Sequence, residues 1–88
     1  MTERTATVTN ELGLHARPAA QFVRMAATFA ADIELVRDGL SVNGKSIMGL
    51  MMLAAGKGSK LTIITEGSDA ERAVEEIQTL IESRFGEE

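Results

Sequence analysis

The segment Gly13-Leu14-His15-Ala16-Arg17-Pro18 carries the only histidine and the only proline of the chain. Glycine permits a sharp backbone path, and proline suits the first turn of a helix. This order sets an imidazole at a helix N-terminus, where backbone N–H groups without intrahelical partners and the positive end of the helix dipole attract anions, phosphate above all. An exposed histidine has a pKa of about 6.5, so a ring nitrogen is mostly a neutral nucleophile at cell pH. The helix terminus and Arg17 are expected to disfavour the cation further. Arg17 can hold phosphoryl oxygens by charge-assisted hydrogen bonds, and the amides of Ala16 and Arg17 can complete a cradle to which Pro18 adds no donor. Phosphoryl transfer through histidine is the chemistry this pattern suits. The plainer reading is a histidine that caps a helix.

A second segment, Lys45-Ser46-Ile47-Met48-Gly49-Leu50, follows about thirty residues later. Ser46 precedes an apolar run and suits a helix N-cap. A phosphoserine there would also be favoured by the helix dipole. Leu50, Leu53 and Ala54 share one face of the following helix and are expected in the core. Ile47, Met48, Met51 and Met52 lie on another, which is too apolar for an ordinary solvated face. Methionine adapts to varied shapes, as a surface used by several partners requires. With Arg17, the small Ala20 and Arg24 nearby, Ile47, Met48 and Met51 form a candidate docking patch. The alternative is burial of these methionines against the sheet or the first helix.

The two segments together resemble the HPr family, the small histidine phosphocarriers of the bacterial phosphoenolpyruvate-dependent sugar phosphotransferase system. The resemblance rests on residues 13–20 and 45–50 and covers nearly the whole chain. It implies a carrier, not an independent enzyme, phosphorylated on Nδ1 of His15 by phosphorylated enzyme I, which passes the group to a histidine of an enzyme IIA domain. It also implies that Ser46 is a target of HPr kinase/phosphorylase, creating a docking form for a catabolite-control transcription regulator; a plain cap is the other reading of Ser46. No cofactor is implied, and a monomer is the family expectation. Met52 replaces a small polar residue of familiar members, which makes the patch more apolar. A paralogue in a regulatory branch, such as the nitrogen phosphotransferase system, is the alternative within the family. A small module that holds an anion noncovalently at the helix terminus, with His15 dispensable, is the alternative outside it.

These residues need a scaffold. Thr5–Thr9 alternates and is β-branched, predicting a strand with Ala6 and Val8 inward. Residues 10–13 form a loop, and the helix after His15 carries its core face on Ala19, Phe22, Val23, Ala26 and Phe29. Asp32–Arg37 is a strand, Asp38-Gly39 a two-residue hairpin turn and Leu40–Val42 the return strand. Asn43-Gly44 is a loop. The helix capped by Ser46 runs from Ile47 to about Ala54, ended by Gly56 and Gly58. Lys60–Thr65 is the fourth strand, and Gly67 turns the chain. Ser68 and Glu71 spell a capping box. The last helix presents Ala70, Ala73, Val74, Ile77, Leu80 and Ile81 as core and ends at Phe85-Gly86. The order β-α-β-β-α-β-α predicts an α+β fold, an open-faced β-sandwich in which a four-stranded antiparallel sheet carries three helices on one face.

Composition narrows the function further. Eighty-eight residues make one domain, 1–88, and the absence of cysteine excludes disulfides and thiolate metal sites. One histidine with scattered carboxylates predicts no metal site. No apolar run approaches the roughly 20 residues of a membrane span, so no membrane insertion is expected. The N-terminus lacks a signal peptide's basic and apolar regions, which predicts a cytoplasmic protein. The net charge is −4, but residues 66–88 hold eight of the 13 acids and two of the nine bases. The last helix and the tail, Glu87 and Glu88 included, thus form an acidic, solubilising part. The rest is mildly basic, contains both motifs and can steer an acidic partner. Lys57 and Lys60 are expected to solvate a loop. Three phenylalanines with no tyrosine or tryptophan, and the negative charge, oppose nucleic-acid binding.

Overall fold

The computed structural model describes residues 1–86; Glu87 and Glu88, the end of the acidic tail, lie outside the described residues. Four strands and three helices follow in order: β1 (Thr2–Thr7), α1 (Ala16–Ala26), β2 (Asp32–Arg37), β3 (Leu40–Asn43), α2 (Ile47–Met52), β4 (Lys60–Glu66) and α3 (Ala70–Glu82). The strands form one antiparallel sheet in the order β1-β4-β2-β3. Period-two alternation decides its faces. Ala6 opposite Leu61, and Leu35 opposite Ile63, point into the core and are buried. Glu34, Val36, Thr62 and Ile64 occupy the other face and stay half-exposed. The helices cover the apolar face: α3 packs on β1 and β4, α2 on β3, and α1 on both other helices. This is the open-faced sandwich that the sequence predicts.

The β2–β3 hairpin is as expected. Asp38 and Gly39 both take positive φ, 49° and 83°, as a turn matched to strand twist requires. β1 is displaced from the predicted span. It starts at Thr2, and its ladder with β4 runs from Thr2↔Thr65 to Thr7↔Lys60. Charge at Glu3 and Arg4 hid its first half; Arg4 reaches Glu71 of α3 at 4.0 Å. Val8 is buried but lies past the strand, bonded to Ser59 and Gly58.

Other expectations fail at helix ends. α1 stops at Ala26, so Phe29 enters the core from the following loop. α2 stops at Met52, because Ala54, not a glycine, takes the left-handed conformation with φ 50°. Ala54 therefore faces solvent and Ala55 takes its place in the core. The capping box does not form. Asp69 is the N-cap of α3, and its carboxylate accepts hydrogen bonds from the backbone N–H groups of Ala30 and Ala31 at 2.9 and 2.8 Å. These bonds, that of Ala30 first, hold its pKa below the ordinary aspartate value. Leu80 is only partly buried, while the other predicted core residues of α3 are buried. Beyond α3, Arg84, Phe85 and Gly86 take positive φ in succession and return the Phe85 ring to the core.

Candidate functional site

His15 is the N-cap of α1 (φ −85°, ψ −172°), half-buried, with its carbonyl accepting from the N–H of Ala19 at 3.0 Å. The next two amides, of Ala16 and Arg17, open the helix where no preceding carbonyl can reach them. Pro18 is third in the helix and packs into the core with Ala19, Phe22 and Ala26. This burial fixes the axis of α1 and so the place from which the imidazole projects. Ala16 and Arg17 are exposed beside it.

The loop in front of His15 is held from two sides. The Asn10 side chain, wholly buried, donates to the Gly13 carbonyl at 2.7 Å, and the Gly13 N–H returns a bond to the Asn10 carbonyl at 3.1 Å. Leu14 donates to the Ala55 carbonyl at 2.8 Å and buries its own side chain. Gly13 has φ 67°, and a Cβ there would strike the Ala55 carbonyl and come within 2.7 Å of the Gly56 Cα. Asn10 and Ala55 were not singled out in the sequence; an asparagine three residues before a glycine is a turn signal, but nothing local points to Ala55.

Ser46 is the N-cap of α2, as predicted: its Oγ accepts from the Gly49 N–H at 3.1 Å. Leu50 and Leu53 are buried beneath the helix. Ile47, Met48, Met51 and Met52 are exposed by 45%, 77%, 42% and 66%, so the alternative of core burial is excluded. Arg24 is exposed and Ala20 half-buried on α1, which packs on α2. The structure thus brings Arg17, Ala20 and Arg24 onto one helix beside another that presents four large apolar side chains. Lys57 pairs with Glu11 at 3.1 Å. The depressions on the open sheet face, between α1 and α3, and beside Lys57 do not include His15 or Arg17. Among the described residues no cluster could hold a metal ion, and no helix is long and apolar enough to cross a membrane.

Residues 2–83 match the family described as PTS-HPr, the PTS HPr component phosphorylation site. The chain is 46% identical to the phosphocarrier protein HPr of Cupriavidus necator, over 99% of this chain and 98% of that one. It is 50% identical to the HPr-like protein Crh of Halalkalibacterium halodurans, over 93% and 98%. The crystal structure of an HPr from Thermoanaerobacter tengcongensis superposes with a TM-score of 0.96 at 46% identity, covering 100% of this chain and 99% of that one. Fold and relatives agree, and the chain belongs to the HPr family of phosphocarriers of the phosphotransferase system.

Proposed function

We propose that residues 1–88 act as one cytoplasmic, monomeric phosphocarrier domain that accepts a phosphoryl group on His15 from phosphorylated enzyme I and delivers it to enzyme IIA domains for sugar uptake. The observation that carries this reading is the position of His15: half-buried at the N-cap of α1, next to the exposed Arg17. Nδ1 of His15 attacks phosphorus as the bond to the donor breaks. The amides of Ala16 and Arg17 and the Arg17 guanidinium stabilise the phosphoryl oxygens. The phosphoramidate is weak enough to be passed on. The donor and acceptor enzymes share the catalysis, so the chain is a carrier and not an enzyme, and it needs no cofactor.

Partners dock on Ala20, Arg24, Ile47, Met48 and Met51. An acidic rim on the partner would meet Arg17 and Arg24, and an apolar centre would bury the α2 side chains. Ser46 is the regulatory position. Its Oγ already accepts the Gly49 N–H, and a phosphate there adds charge at the border of the docking face. HPr kinase/phosphorylase is the modifying enzyme and a catabolite-control transcription regulator the reader of that form. Neither nucleic acid nor a membrane is a direct partner.

The test is intact mass after incubation with enzyme I, Mg²⁺ and phosphoenolpyruvate, beside His15→Ala. One acid-labile phosphoryl group on the parent and none on the variant is expected. An unmodified parent, with an enzyme I of the same organism active on another carrier, would refute the reading.

A further inference from the structure

The chain holds five methionines and no cysteine, so thioether sulfur is its principal site for mild two-electron oxidation. The fold distributes these sulfurs unevenly. Met25 is half-buried against the core, and Met51 is 42% exposed. Met48 and Met52 are 77% and 66% exposed. Four residues apart on α2, they form one stripe along the outermost side of that helix. Ile47 and Met51 form the neighbouring, more covered stripe, and Leu50 and Leu53 anchor α2 from below. The fold therefore does not depend on the outer pair. Met1 is also exposed, but it borders the depression on the open sheet face with Glu34 and Ile64, which makes it an internal control.

We propose that Met48 and Met52 form a reversible oxidation site, through which peroxides weaken partner docking while leaving the fold and His15 intact. The proposal rests on the reading of α2 as the docking face. A thioether lone pair takes the terminal oxygen of a peroxide. The S–O bond forms as the O–O bond breaks, the sulfur loses two electrons, and the peroxide leaves as water or an alcohol. A methionine sulfoxide reductase reverses the step: its thiol pair is oxidised to a disulfide and the oxygen departs as water. The sulfoxide is polar where the thioether was apolar. Buried under a partner without a donor, it weakens docking about five- to 100-fold.

The experiment exposes the full chain, and its Met48→Leu/Met52→Leu variant, to limiting hydrogen peroxide. Peptide mapping locates the added oxygen, and transfer from phosphorylated enzyme I is followed across carrier concentrations. Expected are sulfoxides at Met48 and Met52 before Met51 and Met25, a KM raised about fivefold or more with kcat little changed, an unaltered melting temperature, and recovery after reductase treatment. The leucine variant keeps its KM through the same exposure. Oxygen reaching Met25 or Met51 first, or an unchanged KM with both outer methionines oxidised, overturns the proposal. A Met48→Asp/Met52→Asp variant separates the two readings. If it transfers poorly while the oxidised chain transfers normally, the docking face stands and the oxidation site falls. If both transfer normally, the docking reading has failed and the proposal with it.

Discussion

Asn10→Ala separates the positioning of His15 from its chemistry. Asn10 is wholly buried and supplies a 2.7 Å hydrogen bond to the Gly13 carbonyl. Alanine removes the donor and leaves that carbonyl to a site closed to water. A buried group left unsatisfied costs about 1–3 kcal/mol, and the missing amide leaves a small void besides. For a domain of this size each kcal/mol shifts the melting temperature by about 4–8 °C, so a midrange loss near ~2 kcal/mol lowers it by about 8–16 °C. Below the transition the fold persists, but Gly13 and Leu14 lose one of the three hydrogen bonds that aim His15. A misplacement of about 1 Å at a reacting group can slow a step on the order of 100-fold. Thermal melting by circular dichroism measures the first effect, and the initial rate of phosphorylation by enzyme I, taken well below the transition, measures the second. A melting temperature within about 2 °C of the parent, together with an unchanged rate, would refute the claim that this side chain sets the loop.

Gly13→Ala forces a Cβ against the Ala55 carbonyl and the Gly56 Cα at a φ of 67°. Left-handed strain alone costs about 1–2 kcal/mol, so both melting temperature and phosphoryl acceptance fall. Ser46→Ala removes the cap on α2 and costs about 1 kcal/mol, seen as a lower denaturant midpoint with an unchanged m-value. Asp69 has a lowered folded-state pKa. Its contribution to stability is therefore complete above the ordinary aspartate value and lost as pH falls through the lowered one. Asp69→Asn should remove that part of the acid dependence, so equal slopes of stability against pH for parent and variant between neutral and strongly acidic pH would contradict the assignment.

What was legible in the sequence was local. Alternation in Asp32–Arg37 and the Asp38-Gly39 turn define a hairpin because each depends only on adjacent residues. Ser46 announces α2 because its partner, Gly49, is three positions away. The Ser68–Glu71 pattern is equally local, yet it fails because Asp69 bonds Ala30 and Ala31, nearly forty positions upstream. Only the fold brings those loops together. The position of His15 followed from the glycine, arginine and proline around it. The tethers of its loop did not, since the Leu14 bond to the Ala55 carbonyl joins distant backbone groups that any residue could supply. The turn at Ala54 is hidden in the sequence for a related reason: glycine is the usual left-handed residue, but here alanine accepts the strain so that Ala55 can fill the core.

Delivery of the phosphoryl group tests the central claim most directly. The carrier, phosphorylated on His15 and freed of enzyme I, would be mixed with an enzyme IIA domain in a single turnover, and both intact masses and released phosphate followed. The account predicts stoichiometric gain by the acceptor as the carrier loses its group, with little free phosphate. A carrier that keeps its phosphoryl group, or yields it only to water in the presence of an active acceptor, would contradict it.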